Sequence, residues 1–163
     1  MEQAQSLFDT PVGQMLLTAA VSMIPVVELR GGIPFGAALG LGRWQTLLAA
    51  VAGNMLPVPF VVVYIRRLLY WLRRRVPRLR AIADALERKI HLKGQTVLRY
   101  QYLGLFILVA IPLPGTGAWT GAMVAAFLDL RLNRSLPAIF LGVLTAGLVM
   151  TFVTQTVSYV VGG

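Results

Sequence analysis

Long apolar stretches dominate the chain, and two polar strings rich in proline and glycine interrupt them. Residues 12–27 are apolar, with Pro25 near their end, and lead into Glu28-Leu29-Arg30-Gly31-Gly32-Ile33-Pro34-Phe35-Gly36. A short apolar piece, Ala37 to Leu41, then closes at Gly42-Arg43. Residues 44–64 form a nearly unbroken apolar run. A bilayer crossing needs about 20 residues, so this run predicts a spanning helix. The aromatics at its ends suit the two interfaces. Pro57 and Pro59 fall near its middle, beside Asn54, and predict a bend there. Residues 96–111 are apolar again and lead into Ile111-Pro112-Leu113-Pro114-Gly115-Thr116-Gly117-Ala118-Trp119-Thr120-Gly121. Ala122 to Leu128 follow, closed by Asp129-Leu130-Arg131, and residues 136–161 are the last long apolar run.

The same order of features therefore occurs twice: apolar piece, Ile-Pro, polar break, short apolar piece, arginine, long span. Ile24-Pro25 pairs with Ile111-Pro112, Gly32-x-x-x-Gly36 with Gly117-x-x-x-Gly121, and Arg43 roughly with Arg131. Such order is expected of an internal repeat.

Composition narrows the class. Of 163 residues, 57% are hydrophobic and only 13% charged, which leaves too little polar surface for a soluble domain. One transmembrane domain over 1–163 is expected. The net charge is +9, and its distribution matters more than its size. Eleven of the fifteen Lys and Arg lie between Arg66 and Arg99, and two more are Arg131 and Arg134. No nucleic-acid-binding signature accompanies them, so they read as the cytoplasmic side of a membrane protein. The absence of cysteine excludes disulfides and thiolate metal sites. No metal or cofactor is expected. Within 66–95, Val76, Leu79, Ile82, Leu86 and Ile90 recur at helical spacing among basic residues. They predict an amphipathic helix on the cytoplasmic face that holds anionic lipid headgroups, with Gly94 just past its end. His91 on this helix reads as a solvated side chain.

The charge pattern also selects a topology. If the broken segments 12–42 and 97–130 each crossed once, Arg131 and Arg134 would land opposite the basic segment. If each dips in and returns, thirteen cationic residues gather on one face. The expected fold is thus an all-α integral membrane protein with an inverted-topology repeat. Repeat 1 is 12–65 (hairpin 12–42, span 44–64), and repeat 2 is 96–163 (hairpin 97–130, span 136–160). The two re-entrant hairpins and two spans are joined by the basic interfacial helix 66–95. Irregular backbone at membrane depth cannot face lipid, so the breaks at 28–36 and 112–121 should line a protected site.

Glu28 and Arg30 are the sharpest candidates there. Each would cost about 2.5–3.5 kcal/mol at the centre of a lipid-facing helix. Glu28 suits a proton or cation site, and the planar fork of Arg30 suits a phosphate. A purely structural role, holding the loop's shape, fits them as well. Gly31, Gly32 and Pro34 complete the first break. In the second, Pro114 prevents continuous helix and Gly115 and Gly117 permit unusual dihedrals. Thr116 and Thr120 offer hydroxyls there, and Trp119 a donor on an apolar ring. A helix starting after Gly117 would aim free N–H groups at the site, a natural place for an anion. Gly117-x-x-x-Gly121 also suits close helix packing alone. Asn54 is a further polar group at mid-span, and Asp129 beside Arg131 marks an interface. No zinc-protease or nucleophile-elbow motif is present, and no second acid shares Glu28's depth, so an enzyme is not expected.

The strings Pro25-x-x-Glu28-Leu29-Arg30-Gly31-Gly32-Ile33-Pro34-x-Gly36 and Pro112-x-Pro114-Gly115-Thr116-Gly117-x-Trp119-x-Gly121 resemble the bacterial and archaeal small multi-drug export protein family over nearly the whole chain. That family looks distantly related to the DedA/VTT membrane proteins, whose re-entrant loops form an inverted repeat and several of which are implicated in lipid flipping or scrambling. The resemblance implies transport in a bacterial or archaeal cytoplasmic membrane, with Glu28 and Arg30 as the loop charges and Gly117 and Gly121 as the loop glycines. The chain lacks the second loop acid of the DedA pattern. The leading expectation is a transporter or flippase for a small amphipathic or lipid-linked anion, with Glu28 coupling to protons. Cationic drug export and a non-transporting membrane scaffold are the alternatives. So small a bundle should work as a homodimer.

Overall fold

The computed structural model describes residues 10–75, 94–113 and 116–162. Pro114, Gly115 and residues 76–93 of the basic segment, His91 among them, lie outside this range. Seven helices and no strands occur among the described residues. They are α1 Pro11–Met23, α2 Glu28–Ala38, α3 Arg43–Met55, α4 Val58–Arg75, α5 Gly94–Ala110, α6 Ala118–Phe127 and α7 Leu132–Gly162. Pro11 opens α1, where its missing N–H costs nothing, and the Thr10 hydroxyl accepts from the Gly13 N–H at 3.1 Å.

Two stretches are long and apolar enough to cross a membrane: Arg43–Trp71, made of α3 and α4, and Leu132–Val160 in α7. The bend expected at Pro57 is a short break at Leu56 and Pro57, after which the Val61 N–H takes up the Pro57 carbonyl. Two boundaries differ from expectation. Residues 66–75 continue α4 instead of opening an interfacial helix, because no proline or glycine stops the helix before Pro77. Gly94 lies within α5, so α5 takes in Gly94 and Gln95 as well as the apolar run expected from 96.

The first three helices form one packed group, with α2 antiparallel to α1. A Cβ on Gly32 would stand 3.1 Å from Ser22 Cβ, and one on Gly36 only 2.8 Å from both Thr18 Oγ1 and Thr46 Cγ2. The glycines let α2 wedge between α1 and α3. The buried hydroxyls of Thr18 and Ser22 donate to the carbonyls of Gln14 and Thr18, each at 2.8 Å. On the other side of α1, a Cβ on Gly53 would lie 2.6 Å from Ala19 Cα.

Helices α5, α6 and α7 form a second group with matching contacts. A Cβ on Gly121 would stand 2.5 Å from Val109 Cγ2 and 3.7 Å from Leu105 Cδ1, and one on Gly142 3.0 Å from the Phe106 carbonyl oxygen. Both short helices also end alike. Leu41 N–H bonds the Gly36 carbonyl and Gly40 N–H that of Ala37; Leu130 N–H bonds Ala125 and Asp129 N–H bonds Ala126. These are Schellman ends, with Gly40 (φ 84) and Asp129 (φ 49) in the left-handed region. One turn into the next helix, Thr46 donates to the Gly42 carbonyl at 3.1 Å and Ser135 to the Arg131 carbonyl at 3.0 Å. Aligned on these ends, Gly36 falls with Ala125, Gly32 with Gly121 and Glu28 with Gly117, one helical turn from the expected pairing of Gly32 with Gly117 and Gly36 with Gly121.

The groups join where α2 meets α7 and α4 meets α6, over a core that includes Leu29, Ile33, Val62, Ala122, Ile139 and Val143. At one end of the bundle Arg66 Nε lies 3.1 Å from Asp129 Oδ1, and the Arg66 guanidinium donates to the Leu130 carbonyl. Arg66 is 23 residues from Arg43 along α3–α4, about 35 Å at about 1.5 Å per residue. The turn after α6 therefore meets α4 about 35 Å along α3–α4 from the turn after α2.

Candidate functional site

The first break is not where the sequence places it, since the expected interruption 28–36 is helix, and the second is shorter than expected. The first is Ile24 to Val27 and the second Ile111 to Gly117, so Gly31, Gly32 and Pro34 sit within α2. Pro34 only forgoes the bond to the carbonyl four residues back, and the glycines serve helix packing. The first turn is strained. Val26 has φ 79 and Glu28 φ 50, and for a β-branched residue that region costs about 1–3 kcal/mol.

The two breaks meet. Gly117, just before α6, has φ 137 and ψ −165, a region open essentially to glycine alone. A Cβ there would stand 2.7 Å from the Glu28 carboxyl carbon and 2.8 Å from Oε1. The Glu28 carboxylate thus fills the space of a capping side chain at 117, and its Oε1 accepts from the Trp119 N–H at 3.2 Å. Glu28, only 4% exposed, caps α6 from 91 residues away in the sequence. Arg30 Nη2 donates to the Thr116 carbonyl and, at 2.9 Å, to the Thr116 hydroxyl. That hydroxyl also lies 2.7 Å from the Ile111 carbonyl and accepts from the Leu113 N–H at 3.2 Å, which closes the second break on itself. Trp119 Nε1 donates back to the Met23 carbonyl at 3.2 Å. Three cross-links therefore join two segments that otherwise lack regular backbone pairing.

Beside these bonds is a cavity of about 200 Å³. Glu28, Arg30, Thr116, Trp119, Thr120 and Met123 line it, with Pro25 and Val26 from the first turn. Of the sequence candidates, Glu28, Arg30, Thr116, Gly117, Trp119 and Thr120 come together here. Gly31 packs on Val27 and Gly32 on α1, while Pro34 borders a separate groove against α7. Asn54 is fully buried, and neither its Oδ1 nor its Nδ2 forms a hydrogen bond within the described protein. Gly36 touches Thr46; Asn54 is eight residues further along α3 and Glu28 eight residues back along antiparallel α2. Each step is about 12 Å, so Asn54 and Glu28 share a depth. Met123 was missed, although it follows Trp119 by one helical turn and so shares its face. Val26 was missed too, and nothing in its sequence context signals a positive φ.

The chemistry is that of an anion site holding the protein's own anion. The start of α6 carries about half a positive charge, and Arg30 adds a full one. A carboxylate or phosphate suits those donors; Glu28 occupies the Trp119 N–H, and Arg30 is bonded to Thr116. No cluster of His, Asp or Glu able to hold a metal occurs among the described residues. No curated protein and no solved structure matches the chain. Residues 28–149, three quarters of the sequence from the start of α2 through the second break and most of α7, match the family described as "Putative small multi-drug export protein", and the chain belongs to that family.

Proposed function

We propose that the protein moves a small amphipathic or lipid-linked anion across the membrane through the cavity between its two breaks. The observation that carries this reading is the Glu28 carboxylate at the start of α6, with Arg30 alongside. A substrate anion would take the place of Glu28 on the α6 N–H groups and engage Arg30. The displaced carboxylate would then take up a proton and release it on returning to α6, which couples the two movements. The unpaired amide of Asn54, at the same depth, would supply a further hydrogen bond to the solute.

In this proposal α1–α2 and α5–α6 are re-entrant hairpins that enter from opposite leaflets as an inverted repeat. Their lengths support it: α1, α2 and α6 have 13, 11 and 10 residues, about 15–20 Å, short of a hydrocarbon core of about 30 Å. So do the matching glycine contacts and Schellman ends of the two groups, and the separation of their outer turns by about 35 Å along α3–α4. Arg131 and Arg134 then share the basic, cytoplasmic side with Arg66 and Arg67. A second copy would complete the walls of the path.

The family's description favours a second reading, export of cationic drugs held by Glu28 between Trp119 and Met123. Arg30 and the positive end of α6 oppose a cation there. The test is uptake into proteoliposomes by the wild type, Glu28→Gln and Arg30→Ala. Both variants should reach the membrane folded and lose at least tenfold in rate, with anionic amphiphiles inhibiting the wild type and cationic ones not. Wild-type rates in both variants would overturn the site, and inhibition by cations alone would favour drug export.

A further inference from the structure

At the end of the bundle where Arg66 meets Asp129, two cavities share a wall. The first, about 380 Å³, is bordered by Gln101 and Tyr102 of α5, by the Asp129 turn, and by Arg131 and Arg134. The second, about 510 Å³, is an almost wholly apolar groove between α5 and α6 that includes Gly104, Leu105, Leu108 and Val124. Gln101 and Leu128 border both, so the polar cavity adjoins the apolar groove.

We propose that this composite cleft binds one anionic phospholipid, with its phosphate between Arg131 and Arg134 and an acyl chain along the groove. Charge is the first argument. Neither arginine has an acidic partner among the described residues, and the one acid at the cavity, Asp129, is already matched by Arg66 at 3.1 Å. Among the described residues the cavity carries two uncompensated positive charges, and guanidinium forks match phosphate oxygens in pairs. Gln101 and Tyr102 add neutral donors within reach of a headgroup. Depth is the second argument. Arg66 lies near the polar end of the spanning stretch Arg43–Trp71, where a headgroup would lie. From Gln101 to Leu108 the groove descends about 10 Å along α5, toward the hydrocarbon. Basic pockets between helices at that level are where anionic headgroups bind. The site shares no residue with the Glu28–Arg30 cavity, so it stands or falls apart from the transport reading.

Gly104 makes the groove testable. A Cβ added there meets nothing within 4 Å, so a larger side chain fills the groove without disturbing the helices. Native mass spectrometry of the detergent-solubilised protein, titrated with phosphatidylglycerol, reads the affinity directly. One lipid should be retained. Arg131→Gln with Arg134→Gln should weaken it about 25-fold, at about fivefold per arginine. Gly104→Leu should also weaken it, while the melting temperature holds or rises because leucine is the better helix former. Three results would overturn the proposal: phosphatidylcholine bound as tightly as phosphatidylglycerol, inorganic phosphate bound as tightly as the lipid, or unchanged affinity in either variant.

Discussion

Gly117 does two things that no other residue can do at its position. Its backbone has φ 137, and the space where its Cβ would stand holds the carboxyl group of Glu28. Gly117→Ala therefore meets backbone strain of about 1–3 kcal/mol and also evicts the cap of α6, worth about 0.5–2 kcal/mol more. The expected outcome is a loss of about 2–4 kcal/mol in unfolding free energy in detergent, together with loss of transport. A melting temperature equal to that of the wild type would show that Glu28 does not sit on the first turn of α6. Glu28→Gln, by contrast, retains an oxygen able to accept from the Trp119 N–H, so it should fold and fail only in transport.

Small residues decide how closely the helices approach one another. Gly53 lets α3 rest on the backbone of α1, with Ala19 Cα 2.6 Å from where a Cβ would be. Backbone cannot swing aside as a side chain can, so Gly53→Ala has to push the two helices apart. Overpacking of this kind costs about 1–3 kcal/mol. Gly104→Ala, in open space on α5, should instead stabilise by about 1 kcal/mol through helix propensity alone. Paired thermal melts of the two variants should therefore move in opposite directions. Equal shifts would mean that contact between α1 and α3 is looser than these distances imply.

For the whole molecule, the ion pair between Arg66 and Asp129 fixes a relation between the halves. It sets the turn after α6 about 35 Å from the turn after α2, measured along α3–α4. The chain has no cysteine, so single cysteines report cleanly. Arg43→Cys and Asn133→Cys, both at exposed positions, should be labelled by a membrane-impermeant maleimide from opposite sides. Arg43→Cys should react in intact cells and Asn133→Cys only after permeabilisation. Labelling of both from one side would rule out hairpins entering from opposite leaflets.

Hydropathy, proline and charge position are local properties, and they sufficed for the helical class, for the two long apolar stretches and for an interruption within 112–121, but the first interruption, expected at 28–36, lies at 24–27 instead. They also singled out Glu28, Arg30, Thr116 and Trp119, because a charge or donor inside an apolar run is conspicuous without coordinates. The extent of the breaks was not legible. Glycine and proline read as interruptions, whereas Gly32 and Pro34 lie within a helix whose glycine admits a neighbour. The likeness between the ends of α2 and α6 rests on backbone hydrogen bonds, and backbone atoms carry no sequence label. Only the tertiary structure decided that the anion-binding start of α6 is filled by Glu28. Pairing groups 91 residues apart is set by how helices pack in space, and the physical reason it works here is the missing side chain of Gly117.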